Sequence, residues 1–282
     1  MLTETVPQFQ GLTLAHATAL APEEQPAFAH AVALAKASRS KLISLHANDD
    51  PAALSRMPTA AALLASWGEL PADAKEGDEA SLGMAHARRI DSCCDDAVDT
   101  LLSMVREASP QLVIGTTHGR EGLARAMLGS ISEAIALQTG VPSLLFPVGG
   151  RSFVDETSGR IKLQRMLVAA GDSAAANLGA LYAAWLGRLA GASQVEVELL
   201  HVDDGTSMPS LHPPADEHAR YSVKTVVGGI EAALLREAEH AHCDALVLAT
   251  RGHDSLLDVL LGSHAERVLR RSACPVLSIP LP

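Results

Sequence analysis

The sequence has 282 residues, 48% of them hydrophobic and 20% charged, with a formal net charge of −11 at pH 7. This length allows one large or two ordinary domains, and the apolar content is typical of a globular protein. The negative charge argues against electrostatic capture of nucleic acid or of an anionic membrane surface. The four cysteines are too few for a disulfide framework, so we interpret them as reduced thiols.

The beginning of the chain and its most apolar predicted helix bear on membrane association. The first residues lack a basic stretch followed by a continuous apolar run, the pattern of a secretory signal. The helix predicted at residues 174–190 carries Asn177 and Arg188 and is shorter than the ~20 residues that cross a bilayer. We interpret it as a core helix and expect a cytoplasmic protein that binds neither membrane nor nucleic acid.

Strands and helices alternate in the first half. Apolar runs predict strands at residues 12–15, 41–46, 88–93 and 112–114, and helical periodicity predicts helices at residues 27–38, 60–67 and 97–107. Pro22 and Pro26 suit the entry to the first helix, and Asp95 and Asp96 suit the start of the third. Residues 47–87 have no counterpart of similar length later in the chain, and we interpret them as an insert.

The second half repeats this order more compactly. Strands are predicted at residues 166–170, 195–202, 221–227 and 244–249, and helices at residues 174–190 and 230–241. Final strands are predicted at residues 142–147 and 275–280, one in each half. Strands alternating with helices predict an α/β fold with a parallel sheet, right-handed crossovers and helices on both faces.

A spacing that occurs twice indicates an internal duplication. In each half, nine residues separate a glycine from a Gly-Ser pair, and a proline follows the serine by twelve positions. The matching positions are Gly119, Gly129, Ser130 and Pro142 in the first half and Gly252, Gly262, Ser263 and Pro275 in the second. We therefore predict two domains, residues 1–147 with the insert at 47–87 and residues 161–282, joined by a linker at 148–160.

The strand before each repeated glycine leads into a loop suited to an anion. Glycine lets the backbone approach a phosphate, while loop amides and a helix N-terminus supply hydrogen-bond donors. Candidate nucleotide-binding residues are Gly115, Thr116, His118, Gly119, Arg120, Gly129 and Ser130 in the first half, and Ala249, Arg251, Gly252, His253, Gly262 and Ser263 in the second. The alternative interpretation is structural, with glycines that end strands and Gly-Ser pairs that cap helices.

We predict no catalytic residue and no metal site. Ser130 and Ser263 have no His/Asp arrangement that marks a nucleophile, and the P-loop pattern Gly-x4-Gly-Lys-Ser/Thr is absent. His240, His242 and Cys243 lie close together in sequence, but no fourth ligand is spaced to complete a zinc site. We interpret these residues as the end of a helix.

The repeated motif resembles that of the universal stress protein family, in its two-domain form. The residues that carry this resemblance are the Gly-x9-Gly-Ser spacing in both halves, Leu199-Leu-His-Val202 at a strand end and Cys274-Pro-Val-Leu277 in the last strand. The resemblance covers nearly the whole chain apart from residues 47–87 and the linker. It implies two Rossmann-like domains, each a five-stranded parallel sheet with helices on both faces. It also implies cytoplasmic stress-related roles and, in some members, ATP or another adenine nucleotide bound by the motif.

The chain departs from the family pattern at several positions. The family usually ends strand one with an aspartate, for which this chain has His16 and Gly171, each thirty residues before a strand-end histidine. Asp172 lies one residue after the position at which the family has its aspartate. The first glycine of the motif is Ala249 in the second half, and in the first half three residues rather than two separate Gly115 from Gly119.

Three functional hypotheses therefore stay open. The first is a binding and regulatory protein of the stress response that holds ATP or a related adenine nucleotide, with Mg²⁺ present only alongside the nucleotide. The second is a stress protein that acts through protein partners without nucleotide, and the third is a weak ATP-hydrolysing enzyme. The resemblance further implies that the fifth strands, at 142–147 and 275–280, pair either within one chain, domain 1 with domain 2, or between two chains as a homodimer.

Overall fold

The computed structural model describes residues 8–94, 96–117, 134–136, 138–203, 205, 208–251, 265 and 267–281. Their strands are β1 (Thr13–Ala17), β2 (Lys41–Ala47), β3 (Ala85–Asp91), β4 (Leu112–Thr117), β5 (Ser143–Pro147), β6 (Arg165–Ala169), β7 (Val195–Asp203), β8 (Ala219–Val227), β9 (Ala245–Arg251) and β10 (Val276–Leu281). The named helices are α1 (Gln25–Ala37), α2 (Ala53–Arg56), α3 (Ala60–Ser66), α4 (Ala97–Ala108), α5 (Ser173–Leu189) and α6 (Ile230–His240). Short 3-10 turns lie at Pro22–Glu24 and Asp78–Leu82.

The ten strands form a single sheet in the order β3-β2-β1-β4-β5-β10-β9-β6-β7-β8. All neighbours pair in parallel except β5 and β10, which pair antiparallel with Leu144 opposite Leu277. The predicted α/β fold, with a mostly parallel sheet and helices on both faces, is confirmed. The antiparallel junction joins the strands of the two halves into one sheet.

Helices cover both faces of the sheet because the central strands bury side chains on both sides. On one face, α1, α3 and α5 contribute to a large apolar cluster that also contains Leu14, Phe153, Val168 and Leu277. On the other face, α4 packs through Leu101 and its neighbours against the first half of the sheet. The helix α6 packs on the same side of the second half. The first cluster contains residues from both halves and is therefore a shared core.

The segment predicted as a linker, residues 148–160, packs closely against the first half. Phe153 and Val154 are 1% and 2% exposed. Their backbone N–H groups donate to His30 Nε2 in α1, at 3.2 and 3.1 Å. The indole N–H of Trp67 donates to the carbonyl oxygen of Glu156 at 2.8 Å. The segment predicted as a linker therefore contains two buried apolar residues.

Most predicted elements lie within a few residues of the observed ones, with one larger shift. The third strand occupies Ala85–Asp91 rather than residues 88–93. Its position follows from pairing with β2, in which Lys41 lies opposite Ala85 and Ala47 opposite Asp91. Residues 92 and 93 lie beyond the end of β2, so they have no strand partner and form no strand.

Candidate functional site

The strand order reverses between β1 and β4 in the first half and between β6 and β9 in the second. From β1 the chain continues through α1 to β2 on one side, whereas β4 lies on the other side of β1. In open α/β sheets, ligands bind outside the carboxyl ends of the strands at such a reversal. The two candidate crevices therefore lie at the carboxyl ends of β1 and β4 and of β6 and β9.

Four candidate residues predicted to begin the loops belong instead to strands. Gly115 and Thr116 lie within β4, opposite Leu145 and Phe146 of β5. Ala249 and Arg251 lie within β9, opposite Ile279 and Leu281 of β10. Each fourth strand is therefore longer than the sequence suggests, because it pairs with the fifth strand along this length. The other candidates lie outside the described residues: His118, Gly119, Arg120, Gly129, Ser130, Gly252, His253, Gly262 and Ser263.

Strand register defines which residues of the two halves are equivalent at the end of strand one. Ala17 lies opposite Leu45, which precedes His46. Ala169 lies opposite Leu200, which precedes His201. The next residues behave alike. The N–H of Thr18 donates to Leu45 O at 3.0 Å, and the N–H of Ala170 donates to Leu200 O at 2.8 Å.

The two strand-end histidines confirm this equivalence. His46 Nδ1 donates to Thr18 O at 2.8 Å, and His201 Nδ1 donates to Ala170 O at 3.1 Å. Thr18 is thus equivalent to Ala170, and Ala19 is equivalent to Gly171. The predicted match of His16 with Gly171 is wrong. The interval from Ala170 to His201 is three residues longer than the equivalent interval from Thr18 to His46.

In the corrected register, Ala19 and Gly171 directly follow Thr18 and Ala170, the equivalent residues after β1 and β6. Neither residue has a carboxylate. Asp172 follows Gly171, but its side chain accepts a hydrogen bond from the Ala175 N–H at 2.8 Å as the N-cap of α5. An aspartate just before a helical run is a typical capping signal, which the sequence already contained.

His16 is equivalent to Val168, inside the strand and facing α1. It lines a cavity of about 430 Å³ between the β1–α1 connection, α1 and the segment that carries α2 and α3. The His16 and Phe28 rings are 5.3 Å apart, centroid to centroid. Sequence reasoning missed this cavity because its outer wall is formed by the insert, whose position is set only by tertiary packing.

A mostly parallel sheet with reversed strand order and helices on both faces defines a doubly wound α/β protein. The model of the universal stress protein family matches residues 16–147 and 214–280, which is more than half of the chain. The chain belongs to the universal stress protein family and is, by that membership, a stress-response protein.

Solved structures with the same fold extend over nearly the whole chain. A universal stress protein from Archaeoglobus fulgidus is 20% identical, with a TM-score of 0.63, and the match covers 96% of this chain and 97% of that one. A functionally unknown protein from Pseudomonas aeruginosa is 15% identical, with a TM-score of 0.58 and coverage of 96% and 94%. At these identities the likeness concerns the fold alone. No curated protein matched the chain.

In the part of the chain that the structure describes, no helix combines the length and the apolar character needed to span a membrane. Within the same residues, no group of three or more His, Cys, Asp or Glu side chains is arranged to hold a metal ion.

Proposed function

We propose that this universal stress protein is a cytoplasmic regulatory protein that binds ATP or a related adenine nucleotide at the crevice between β1 and β4. The observation that carries the proposal is the strand reversal between β1 and β4, together with the sequence Thr-His-Gly-Arg that begins at the last residue of β4. Crevices at such reversals are where open α/β sheets bind ligands. The first half is favoured over the second for its Thr-His-Gly-Arg sequence at residues 117–120, since Ala249 of β9 is equivalent to Thr116 of β4 and neither is a glycine.

The residue types at the candidate positions suit a triphosphate better than an adenosine. Backbone N–H groups at Gly119, the Arg120 guanidinium and the Ser130 hydroxyl are donors suited to phosphate oxygens. At the other end, Ala19 offers no carboxylate to a ribose. The nearby Glu24 carboxylate already accepts from Thr18 Oγ1 at 2.6 Å and from the Ala19 N–H at 2.8 Å. Mg²⁺ would enter only with the nucleotide.

The lack of a carboxylate at Ala19 and Gly171 favours a second function, a stress protein that acts through protein partners without nucleotide. A site built to pair with a ribose hydroxyl loses affinity when that partner is missing. The second function therefore predicts a normally folded protein that does not respond to ATP.

The two functions are separated by examining the full-length protein for nucleotide. We expect adenine nucleotide to be released by acid from the purified protein, and calorimetry to detect binding of ATP with Mg²⁺. Ser130→Ala should weaken that binding about tenfold, as expected for one hydrogen bond to a charged group. Ser263→Ala is the matched control in the second half and should have a smaller effect.

Each opposite result has a defined meaning. Absence of released nucleotide together with a silent titration would reject nucleotide binding and support the partner-based function. Steady formation of ADP that Ser130→Ala abolishes would instead favour the ATP-hydrolysing enzyme.

A further inference from the structure

Cys93 and Cys94 lie where the chain leaves β3 and approaches α4. The strand ends at Asp91, whose carbonyl oxygen accepts a hydrogen bond from the Asn48 N–H at 2.9 Å. The Asp91 carboxylate accepts from the Ser92 N–H at 2.8 Å, so this N–H pairs with a side chain rather than with a neighbouring strand. The two cysteines therefore lie beyond the sheet, in the connection to α4.

The two thiols are exposed and in contact with each other. Successive side chains of a β-strand point to opposite faces, an arrangement that would hold the two sulfurs apart. Because these residues lie beyond the strand, the Sγ atoms of Cys93 and Cys94 are instead 2.7 Å apart, and both side chains are exposed. A single atom from solution can therefore contact both sulfurs at once.

The other two of the four cysteines are closed to solvent. Cys243 and Cys274 are 2% and 0% exposed, in the apolar cluster beneath α6. Burial raises the pKa of both thiols, that of Cys243 to about 12. A buried thiol in apolar surroundings is chemically inert. All four cysteines of the sequence lie in the described residues, so a reagent that needs two accessible sulfurs finds them only at Cys93 and Cys94.

Covalent geometry disfavours a disulfide between these two residues. The peptide bond that joins Cys93 to Cys94 is trans, which places adjacent Cα atoms about 3.8 Å apart. Disulfides usually join Cα atoms roughly 4.4–6.8 Å apart, and departures from that range strain the bond and make it easier to reduce. An atom inserted between the two sulfurs lengthens the bridge and relieves this constraint.

The groups around the thiols do not suit a zinc ion or an anionic reagent. Zinc in structural sites takes four ligands, and in the described part of the chain no three His, Cys, Asp or Glu side chains are arranged to hold a metal ion. The nearby Asp96 carboxylate already accepts from the Asp99 N–H as the N-cap of α4. The hydrogen bond with Cys93 is the main cause that raises the pKa of Cys94, and the Asp99 carboxylate adds to it. That negative charge favours an uncharged reagent that needs only two sulfur ligands.

We propose that Cys93 and Cys94 form a dithiol site that binds one uncharged trivalent arsenical. When an arsenical with one organic substituent binds, two S–H bonds break and two S–As bonds form. The oxygen on arsenic leaves with both thiol protons as one water, and the arsenic stays trivalent, so no oxidant or reductant takes part. The site lies outside both nucleotide crevices and gives this stress-response protein direct contact with a thiol-reactive toxicant.

The test uses phenylarsine oxide, an uncharged arsenical with one organic substituent and two positions for sulfur. Added to the reduced full-length protein, it should form a one-to-one adduct whose mass is that of the protein plus phenylarsine oxide minus one water, measured by native mass spectrometry. Iodoacetamide followed by peptide mapping should label Cys93 and Cys94 in the free protein and neither of them in the adduct. Dithiothreitol, a dithiol, should release the arsenic, whereas a monothiol at the same sulfur concentration should not.

Variants show whether both sulfurs take part. Cys93→Ser and Cys94→Ser each leave one thiol, and each should weaken binding about 10²–10⁴-fold, because the second S–As bond is no longer formed within one molecule. Both side chains are exposed, so serine should leave the fold unchanged, which thermal unfolding checks. Cys243→Ala removes a buried thiol and is the matched control, with binding expected to equal that of the wild-type protein.

Several results would overturn the proposal. If either serine variant bound as tightly as the wild-type protein, one sulfur would suffice and the site would not be a dithiol. Arsenic located on Cys243 or Cys274, or no adduct at all, would also reject it. Oxidised glutathione tests the alternative of a redox switch. We expect it to leave no internal disulfide between Cys93 and Cys94, and ready formation of one would replace the arsenical site with that switch.

Discussion

Three histidines of the first half are held neutral inside the protein. Burial is the main cause that lowers the pKa of His16 and of His30 to about 3 and that of His86 to about 4. The neighbouring Arg88 adds to the effect on His86. In His30, Nδ1 donates to Pro26 O at 2.6 Å, so Nε2 is free to accept the two N–H groups of residues 153 and 154. Protonation of Nε2 would break both of those bonds.

We predict that acid destabilises the protein through these histidines. An unfolded histidine titrates near pH 6.5, so above that pH both states are neutral and the full stability is present. Below pH 6.5 the unfolded chain takes up protons that the folded protein does not. The free energy of unfolding should then fall by about 1.4 kcal/mol per pH unit for each histidine, until the pH reaches the folded pKa of 3 to 4.

Urea unfolding at pH 7.5, 6.5, 5.5 and 4.5 measures this dependence. His30→Gln should lower stability at pH 7.5 and flatten the slope below pH 6.5, since one of the three titrating groups is removed. His212→Gln, at an exposed position, is the matched control for the substitution itself. A slope that His30→Gln leaves unchanged would contradict the assignment.

At the scale of single elements, the start of α5 decides the role of Asp172, a carboxylate near the second crevice. Asp172 satisfies a backbone N–H that the first turn of a helix otherwise leaves unpaired. Asp96 plays the same part for α4, accepting from the Asp99 N–H at 2.8 Å. The similar caps give both aspartates a structural role at the start of a helix.

We predict that Asp172→Ala lowers the free energy of unfolding by about 1 kcal/mol, the usual cost of losing an N-cap, whereas Asp172→Asn retains it. Asparagine caps as well as aspartate but has no charge, so it is the matched control. Chemical denaturation of both variants measures the difference. If Asp172→Asn kept full stability yet abolished ATP binding, the carboxylate would be a ligand and the capping role would be secondary.

At the scale of the whole molecule, the two halves share one sheet and one core. The antiparallel pairing of β5 with β10 covers two strand edges that would otherwise be exposed, and free edges promote association. The shared cluster includes Leu14 of the first half, Val168 of the second and Leu277 at the junction. Loss of packing in either half therefore removes contacts from the other.

We predict that the protein unfolds in one cooperative transition. The sequence contains two tryptophans, Trp67 in the first half and Trp185 in the second, so Trp67→Phe and Trp185→Phe leave one fluorescent reporter each. Urea curves from the two reporters should have midpoints that move together when Leu277→Ala is added. That substitution should cost about 2–5 kcal/mol, as for other buried leucines. Two midpoints that respond separately would show that the halves unfold independently.

Much of the fold follows from local patterns in the chain. The apolar run of β2, the helical periodicity of α4 and α5 and the repeated Gly-x9-Gly-Ser spacing were sufficient to predict an α/β fold and a duplication. These signals depend on neighbours within about four residues, or on a count along the chain. Tertiary packing does not alter them.

Other features were decided only by the tertiary structure. Equal spacing along the chain matched His16 with Gly171, whereas strand register matches Ala19 with Gly171. The two results differ because the spacing includes the residues that connect the strands, and strand pairing does not depend on their number. The burial of Phe153 and the surroundings of His16 depend on groups tens of residues away, including His30 and Ser44. The sequence alone therefore determined the α/β fold class and the repeat. Long-range pairing decided which side chains meet, since no local pattern specifies partners that only folding brings together.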